Sequence, residues 1–456
     1  NGYIYSHIWI RDSEQDIYSD IDQSMVSVNR ALVQDNRNNT IELGADWAKT
    51  YDDWKLRLIG LGMIKDVVAD NDFTSFDIGQ LNFNSHDIQD SKKSELVSRM
   101  TLAKINNTIF RPEFGLEVAN NKLDSSLIQF QNDVLQPPQS NDNVVVEEIR
   151  GEIFANFVFQ ASDLLTLEGG LTAEYSQIEV DSINSQKQNF SFIKPRISST
   201  YKFSADNQLS VELAHNVGQL NFGDFATSNE AFDGITNTGN SDLMPDQTTE
   251  LSATYDWSIS ERGSLKVKVF HQWRKDILEQ VVIGENDNGS LAYGLGNAGR
   301  ARFWGINTDI NLPLDFILSN SLLEISHSYQ GSDFYDSIIN EKRNINNYVP
   351  NALEVSFRQD FIEHNFAWGL DYIASTLNTS YRVNEIQTLN QAKRFGIFIE
   401  STQFFGIKTS LTVFNKSEQI RSRLFYQNNR IGTFNGYQEA HRKKNPSIIM
   451  KFSGTF

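Results

Sequence analysis

The last ten residues, SIIMKFSGTF (447–456), alternate in polarity and close the chain on an aromatic residue. Ile448, Met450, Phe452 and Phe456 fall on one face of an extended strand, because successive side chains of a strand point to opposite faces. This pattern predicts a final β-strand with one apolar face. Ten residues alone leave open whether that face meets a soluble core or lipid.

The composition excludes several classes of function. The 456 residues carry a net charge of -18, which argues against a nucleic-acid partner because phosphates need a basic surface. The chain has no cysteine, so disulfides and thiolate metal sites are excluded. It also lacks a run of about 18 apolar residues, which excludes a membrane-spanning helix. A transmembrane β-strand needs only about 9–11 residues with every second one apolar, so the mean hydropathy of -0.42 fits a soluble protein and a barrel equally.

Alternation with a period of two recurs along the whole chain. In LTLEGGLTAEY (165–175), Leu167 and Leu171 lie on one face, opposite Glu168 and Glu174. The same pattern is present in IELGADWAKT (41–50), LSVELA (209–214) and LKVKV (265–269). One face of each segment is polar and often charged, which is typical of antiparallel strands and not of buried parallel ones.

The predicted connections are alternately short and long. Short polar turns are predicted at 50–54, 104–108, 161–165, 204–208, 259–264, 313–321, 362–365 and 404–406. Long stretches rich in Asn and Asp are predicted as loops at 120–143, 218–246, 283–298, 330–348 and 377–392. This rhythm is typical of a membrane barrel with short turns on one rim and long loops on the other. A β-propeller would show repeated blades of about 40–50 residues, and a sandwich would show strands every 8–12 residues or so.

The sequence therefore predicts an all-β fold, a transmembrane antiparallel β-barrel that forms one domain over residues 1–456. About 19 strands are predicted, the first near residues 2–10. An odd count conflicts with the even number found in bacterial single-chain barrels. Either opening strands precede this chain, or the irregular region 11–38 leads to a miscount by one.

Four segments together resemble the TonB-dependent receptors of the Gram-negative outer membrane. NSDLMPDQTTELSATYDW (240–257) resembles a family segment in which a loop leads into a strand, and GNAGRARFWGINTDINL (296–312) resembles a glycine-containing family strand. VPNALEVSFRQDF (349–361) and LTVFNKSEQIRSRLFY (411–426) resemble two later strands. The matching positions are Asn240, Leu243, Pro245, Glu250, Asn297, Gly299, Ala301, Gly305 and Asn415, while Asp246 and Asn307 replace the usual Glu. The terminal Phe456, with Ile448, Met450 and Phe452, matches the outer-membrane assembly signature.

The resemblance implies a barrel of about 22 strands in the cell outer membrane, preceded in the family by a plug and by a segment that TonB grips. Neither is recognisable near Asn1, so the plug, this segment and the first strands are expected to be missing from this chain. The implied function is TonB-energised import of a scarce or bulky nutrient, such as a ferric chelate, a cobalamin-like cofactor or an oligosaccharide. The implied partners are membrane lipid, the TonB complex, the outer-membrane assembly machinery and a small nutrient ligand. No cofactor and no enzymatic activity are expected.

Two other functions stay open at this point, a passive porin-like channel and, less favoured, an outer-membrane hydrolase. Within a barrel, the polar inner face and the outer loops would select the ligand. Candidate charges of the inner wall are Glu168, Glu174, Glu212, Lys266 and Lys268, and each could equally be a solvated, interchangeable residue. Aromatic residues near predicted strand ends fit the interfacial girdle of barrels better than ligand stacking: Trp9, Trp47, Trp54, Trp257, Trp273 and Tyr255.

Metal binding has weak support in the sequence. DVVADND (66–72) and ENDNG (285–289) offer acidic side chains in predicted loops: Asp66, Asp70 and Asp72, and Glu285, Asp287 and Asn288 with Gly289 to turn the chain. Oxygen ligands suit Ca²⁺, but neither stretch has the length of an EF-hand loop, so solvated acidic loops are favoured. No pair of histidines has helical zinc spacing. The sequence therefore predicts no metal site.

Overall fold

The structure is a computed structural model, and it describes residues 2–21, 24–77, 80–106, 109–138, 141–183, 185–230, 235–285, 291–346, 348–403 and 407–453. Most of these residues are in β-strands. The helices described are two 3-10 turns, Phe222–Phe225 and Ile362–His364. Within these ranges, no helix is long and apolar enough to cross a membrane.

The first ten strands are mostly long. They are β1 (Gly2–Ile21), β2 (Ser24–Tyr51), β3 (Trp54–Asp77), β4 (Gln80–Lys104), β5 (Phe110–Gln131), β6 (Val134–Leu135), β7 (Asn143–Gln160), β8 (Leu165–Asp181), β9 (Gln186–Lys202) and β10 (Asn207–Val217). The next ten include short strands within loops. They are β11 (Ser228–Glu230), β12 (Ile235–Asn237), β13 (Gln247–Ser258), β14 (Ser264–Lys275), β15 (Leu278–Glu285), β16 (Leu291–Asn297), β17 (Arg300–Pro313), β18 (Ser321–Asp336), β19 (Glu341–Arg343) and β20 (Asn351–Phe361).

The last eight strands are the halves of four long strands, each interrupted once along its length; we call the two halves of one such strand an interrupted pair. They are β21 (Phe366–Ile373), β22 (Thr376–Tyr381), β23 (Glu385–Gln391), β24 (Arg394–Ser401), β25 (Lys408–Phe414), β26 (Ser417–Tyr426), β27 (Phe434–Lys444) and β28 (Ser447–Ser453). Two residues separate β21 from β22, β23 from β24, β25 from β26 and β27 from β28. All four interruptions lie at the same height in the wall, since Ile373 pairs with Arg394 and Phe414 pairs with Ser447.

The strands form one antiparallel sheet that closes on itself near the long-loop rim, through β1 and β27. Each long strand pairs with its neighbours in the chain, and β1 pairs with β27 at Ile17–Asp20 and 437–440. A β11–β12 hairpin and a β15–β16 hairpin stand apart from this sheet. The prediction of an all-β antiparallel barrel is confirmed.

Eighteen long strands make up the wall when each interrupted pair counts once and the short strands β6, β11, β12, β15, β16 and β19 are set aside. The sequence predicted about 19, an odd number. The irregular region 11–38 belongs to β1 and β2, which continue as one long hairpin that pairs Ile21 with Ser24. Polar side chains interrupt the alternation there, but backbone pairing continues.

The two rims differ as predicted for most later connections, but at the long-loop rim only two residues separate β1 from β2 and β3 from β4, and only four separate β8 from β9. Short turns connect β2 to β3, β7 to β8, β9 to β10, β13 to β14, β17 to β18 and β20 to β21. Asp52 and Asn365 in these turns have φ of 49° and 45°, a left-handed conformation that Asp and Asn tolerate. The predicted turn at 404–406 lies outside the described residues. The loop prediction was wrong for much of 120–143 and 377–392, because β5, β22 and β23 extend through polar sequence there.

The outer face of the wall is apolar. Leu171, Leu213 and Ile397 are exposed, and they alternate with polar residues that point inward. The segment 41–50 follows the same rule, since Ile41, Leu43 and Trp47 are all exposed. Exposed apolar side chains around a closed sheet are what a lipid-facing surface requires.

Candidate functional site: the inner wall and the loops of the long-loop rim

Charged side chains cross-link the inner wall between neighbouring strands. Lys194 Nζ lies 2.8 Å from Glu152 and 2.6 Å from Glu174. Arg196 contacts Glu212 at 2.6 Å and Glu168 at 3.8 Å. Two further groups are Arg99 and Arg150 with Glu117, and Lys268 with Glu250. The predicted wall charges therefore lie on the inner face, and most of them are paired.

Lys266 differs from the other predicted wall charges. It is exposed, and its neighbours in the register are Asp256 on β13 and Asp309 on β17. No ion pair to Lys266 is present among the described residues.

Near the long-loop rim, the same inner face becomes apolar. Inward residues of β5, β7 and β8 form a cluster with residues 218–246, a segment that we call the inserted loop. Strand residues of this cluster are Leu123, Val144, Val146, Ile178 and Val180, and loop residues are Leu220, Phe225, Ala226 and Leu243. Phe225 and Leu243 are fully buried. The inserted loop therefore folds inward onto the wall at the mouth of the barrel.

Polar contacts also hold the inserted loop. Asn141 Nδ2 donates to the carbonyl oxygen of Gly239 at 2.7 Å, and the N–H of Thr227 donates to the carbonyl oxygen of Asn141 at 2.9 Å. Asn229 Nδ2 donates to Asp87 Oδ2 at 2.8 Å. Gly239 has no room for a side chain, because a Cβ there would lie 2.1 Å from the carbonyl oxygen of Phe225.

Asp87 is the titratable group at this contact. Burial raises the pKa of Asp87 to about 6, against the smaller opposing effects of the Asn229 hydrogen bond and of the neighbouring His86. The residue lies on the part of β4 that meets the inserted loop, beyond the lipid-facing band. The buried contact between β4 and the loop therefore favours the protonated form of Asp87.

A buried ion cluster joins three more connections of this rim. Arg343 donates to Glu279 at 2.8 Å and to Asp336 at 2.5 Å, and Arg430 also contacts Asp336. Arg343 lies over the ring of Tyr381 with 4.5 Å from Cζ to the centroid. Burial alone would raise the pKa of Asp336, but hydrogen bonds from Arg343 and Arg430 outweigh it and hold this pKa below its usual value. The loops after β14, β18 and β26 are thus tied together.

A second apolar cluster lies beneath these loops. It contains Ile277, Ala301, Phe303, Phe334 and Ile345. Its members come from β17, β18 and the loops beside them, so several long loops, and not the inserted loop alone, pack against the inner wall.

The chain matches the family described as "TonB dependent receptor-like, beta-barrel" over residues 4–438. The chain belongs to this family. Its members are outer-membrane receptors and transporters rather than enzymes, in agreement with the prediction of a non-enzymatic protein. The TonB-dependent receptor barrel is accordingly an outer-membrane protein with TonB and a small ligand as partners. A comparison with curated protein sequences finds no match.

Solved structures of the same architecture resemble this TonB-dependent receptor barrel at low sequence identity. The ferric yersiniabactin uptake receptor FyuA from Yersinia pestis aligns with a TM-score of 0.61 and 11% identity, covering 97% of this chain and 71% of that chain. The ferric citrate transporter FecA aligns with a TM-score of 0.61 and 9% identity, covering 96% of this chain and 71% of that chain. The copper transporter OprC aligns with a TM-score of 0.57 and 9% identity, covering 95% of this chain and 83% of that chain. At these identities the likeness shows a common fold.

The residues that matched the family segments hold the loops of the receptor barrel in place. Asn240 Nδ2 donates to the carbonyl oxygen of Leu295 at 2.9 Å. Asn297 makes two hydrogen bonds with the backbone of Met244. Its Oδ1 accepts from the N–H of Met244 at 2.9 Å, and its Nδ2 donates to the carbonyl oxygen of Met244 at 2.8 Å. Leu243 and Pro245 are buried between these contacts. The motif therefore fastens the end of the inserted loop to β16.

The other matching residues lie on or beside strands. Glu250 is on the inner face and accepts from Lys268 at 2.7 Å. Gly299 has φ of 105°, which glycine adopts without strain. At Gly305 a Cβ would lie 2.8 Å from Phe270 Cζ, so glycine makes room for an inward ring. Asn415 lies at a strand interruption, where its Oδ1 accepts from the N–H of Phe395 at 2.8 Å.

The assembly signature is described only in part. Ile448, Met450 and Phe452 share the outer face of β28 and are exposed. They continue rows of lipid-facing residues, since Ile448 pairs with Val413 and Met450 with Leu411. Phe456 lies outside the described residues, so its role in assembly stays a prediction.

The possible calcium ligands are not gathered into a site. The segment 66–72 lies within β3 and not in a loop, so the loop prediction was wrong there. Asp70 and Asp72 instead face His86, at 2.8 Å and 4.0 Å. Glu285 ends β15, while Asp287, Asn288 and Gly289 lie outside the described residues. Among the residues that the structure describes, no group of three or more His, Cys, Asp or Glu could hold a metal ion.

The tryptophans near strand ends face outward where their side chains are described. Trp47, Trp257 and Trp273 are exposed on the outer face, while Trp54 is only half-buried. This placement agrees with an interfacial girdle. The side chain of Trp9 lies outside the described residues.

Sequence reasoning predicted a loop at 218–246 but missed its packing against the inner wall, and it missed the buried ion cluster. One signal was available, because VVV at 144–146 is apolar on both faces of its strand. A strand segment whose inward side chains are apolar needs an apolar partner inside the barrel. The ion cluster gave no such signal, since its residues are spread from Glu279 to Arg430.

Proposed function

We propose that this protein is an outer-membrane receptor that imports a scarce or bulky nutrient with energy supplied through TonB. The family match over residues 4–438 carries the proposal. Candidate nutrients are a ferric chelate, a cobalamin-like cofactor or an oligosaccharide. FyuA and FecA are named for ferric ligands and OprC for copper, so a metal or its chelate is the first class to test.

The arrangement of the long-loop rim supports this proposal. The inserted loop, the β15–β16 hairpin and the loops that carry Arg343 and Arg430 converge over the inner wall. A ligand arriving from outside would meet these loops before it reaches the polar wall below. Loops that are tied to each other can respond together when a ligand touches one of them.

We also propose that the whole chain forms one barrel domain, and that further wall strands, a plug and a TonB-gripping segment belong to the complete receptor. Two strand edges support this. In the part of the chain that the structure describes, residues 44–51 of β2 pair with β3 alone. Among the described residues, β28 pairs only with β25. Additional strands would satisfy these backbone groups, which a membrane leaves without water as a partner.

The decisive test compares conductance and uptake. In planar bilayers, we expect residues 1–456 to conduct and the full-length receptor to be silent, because a plug would fill the lumen. In cells limited for iron, cobalamin or an oligosaccharide, we expect growth on one ligand that requires both this protein and TonB. Large conductance from both forms, with uptake independent of TonB, would instead identify a passive channel. If the isolated barrel does not insert, the uptake experiment alone decides.

A further inference from the structure

Three strands, β14, β17 and β19, carry basic side chains on the outer face, directly beyond the lipid-facing band at the long-loop rim. The strand register defines the rows. One row runs through Leu213, Leu251, His271 and Trp304, and the next runs through His215, Thr249, Trp273 and Arg302. Beyond them, Gln247, Lys275 and Arg300 form a third row. Lys342 lies close by, paired with Tyr335. We call Lys275, Arg300, Arg302 and Lys342 the outer cationic patch.

Aromatic side chains mark the level of the membrane boundary here. Trp273 and Trp304 are 45% and 40% exposed on the outer face, and Tyr329 and Tyr335 are 48% and 56% exposed. Such rings collect at the interface between hydrocarbon and water. Because the patch begins in the row of Trp273, its charges lie at the level of the lipid headgroups.

The cations of this patch are largely unpaired. Arg300, Arg302 and Lys342 form no ion pair among the described residues, and Lys275 reaches Asp276 at 3.4 Å. One carboxylate, Asp333, faces Arg302 in the register. The side chains surround a depression of about 580 Å³. An unpaired cationic depression is unusual on a chain whose net charge is -18.

Other outward lysines at the same rim are neutralised. Lys122 lies 2.5 Å from Glu147, and Lys187 lies 3.5 Å from Glu179. Lysines at this rim can therefore have carboxylate partners, so the lack of partners in the outer cationic patch does not follow from its position. The outer cationic patch has a surplus of positive charge that its own chain does not balance.

We propose that the outer cationic patch binds the phosphate groups of lipid headgroups in the outer leaflet. Arginine presents N–H groups in a fork that matches phosphate oxygens, and such charge-assisted hydrogen bonds are strong. A lipid whose acyl chains lie against Leu213, Leu251 and Trp304 places its headgroup at the height of Arg302 and Arg300. The apolar rows thus hold the tails, and the patch holds the phosphate.

The test is native mass spectrometry of the protein released from nanodiscs that contain a bis-phosphorylated glycolipid. We expect the wild type to retain this lipid and the triple variant R300Q/R302Q/K342Q to retain it at least about tenfold less, because three charge-assisted contacts are lost. A glycolipid without phosphate should be retained poorly by both. The heat-dependent gel mobility of a folded barrel should be unchanged, which excludes loss of fold.

The matched control is K122Q/K187Q, which removes two lysines from the same face and rim. We expect this variant to retain the phosphorylated lipid like the wild type. Equal retention by the triple variant would overturn the proposal. Binding of inorganic phosphate that competes fully with the lipid would also overturn it, since the patch would then recognise a free anion.

Discussion

On strand β7, Glu152 and Arg150 point into the barrel as members of ion pairs, while Val146 and Val144 point inward a few residues away and are completely covered. The same face of one strand therefore serves two purposes at two heights. Toward the short-turn rim, it is a polar wall whose charges are paired but partly exposed. Toward the long-loop rim, it is one side of a hydrophobic core whose other side is the inserted loop.

This difference indicates where the free energy that positions the loops resides. Partly exposed ion pairs contribute about 0–1 kcal/mol each. Full burial of one large apolar side chain contributes about 1.5–3 kcal/mol. The lower wall can therefore exchange its partners readily, while the upper wall holds the inserted loop in a defined place.

The largest effect is expected from Phe225→Ala. Removing this ring from the apolar cluster should cost about 3–5 kcal/mol of loop attachment, because the lost transfer energy adds to that of the cavity. A nitroxide on Ser228 should become mobile, and amides of the inserted loop should exchange faster with deuterium. Phe316→Ala is the control, since Phe316 is 78% exposed in a short turn. An immobile label in the Phe225 variant would contradict a core at this height.

A smaller effect is expected from pH at the contact between Asp87 and Asn229. The pKa of Asp87 is raised from 3.8 to about 6, so the attached loop keeps the proton that a detached loop would release. Attachment should therefore be strongest near pH 4, weaken as the pH rises toward 6, and change little above that. The mobility of a nitroxide on Ser228 should follow this course. In the Asp87→Asn variant, the mobility of the label should not depend on pH in this range. If the pH dependence persisted, another group would be responsible for it.

The smallest effect is expected on the lower wall. Arg196→Gln removes contacts to Glu168 and Glu212, but the Arg196 side chain is 54% exposed, so the loss of barrel stability should be below about 1 kcal/mol. Urea unfolding in detergent measures it. A loss as large as that in Phe225→Ala would remove the distinction between the two heights.

The period of two determined the outward residues well, because each strand meets lipid on one face regardless of its partners. Leu171 and Leu213 needed no knowledge of the rest of the chain. The inward packing of the inserted loop could not be predicted, because Leu220 and Leu243 stand in an Asn- and Asp-rich stretch without period, and their partners such as Leu123 are distant in sequence. The irregular region 11–38 belongs to two strands, β1 and β2, because polar strand residues there resemble a loop in sequence.

The family resemblance located residues whose purpose the pattern alone could not give. Asn297 and Asn415 matched the family segments by residue type. In the structure, their side-chain amides form hydrogen bonds with backbone N–H groups where a loop or an interruption breaks the pairing between strands. Such roles depend on which backbone groups lie opposite, and a single sequence does not contain that information.

The aligned interruptions in the last four strands have a mechanical consequence. A sheet resists bending across its strands through continuous backbone hydrogen bonds, and here 374–375, 392–393, 415–416 and 445–446 form one line along which the ladder is thinned to single bonds, such as that from the N–H of Ala392 to the carbonyl oxygen of Glu418. This line is therefore the softest direction of this part of the wall. Any tilt of its upper panel, β22 with β23, β26 and β27, would move Arg430 and Tyr381 together.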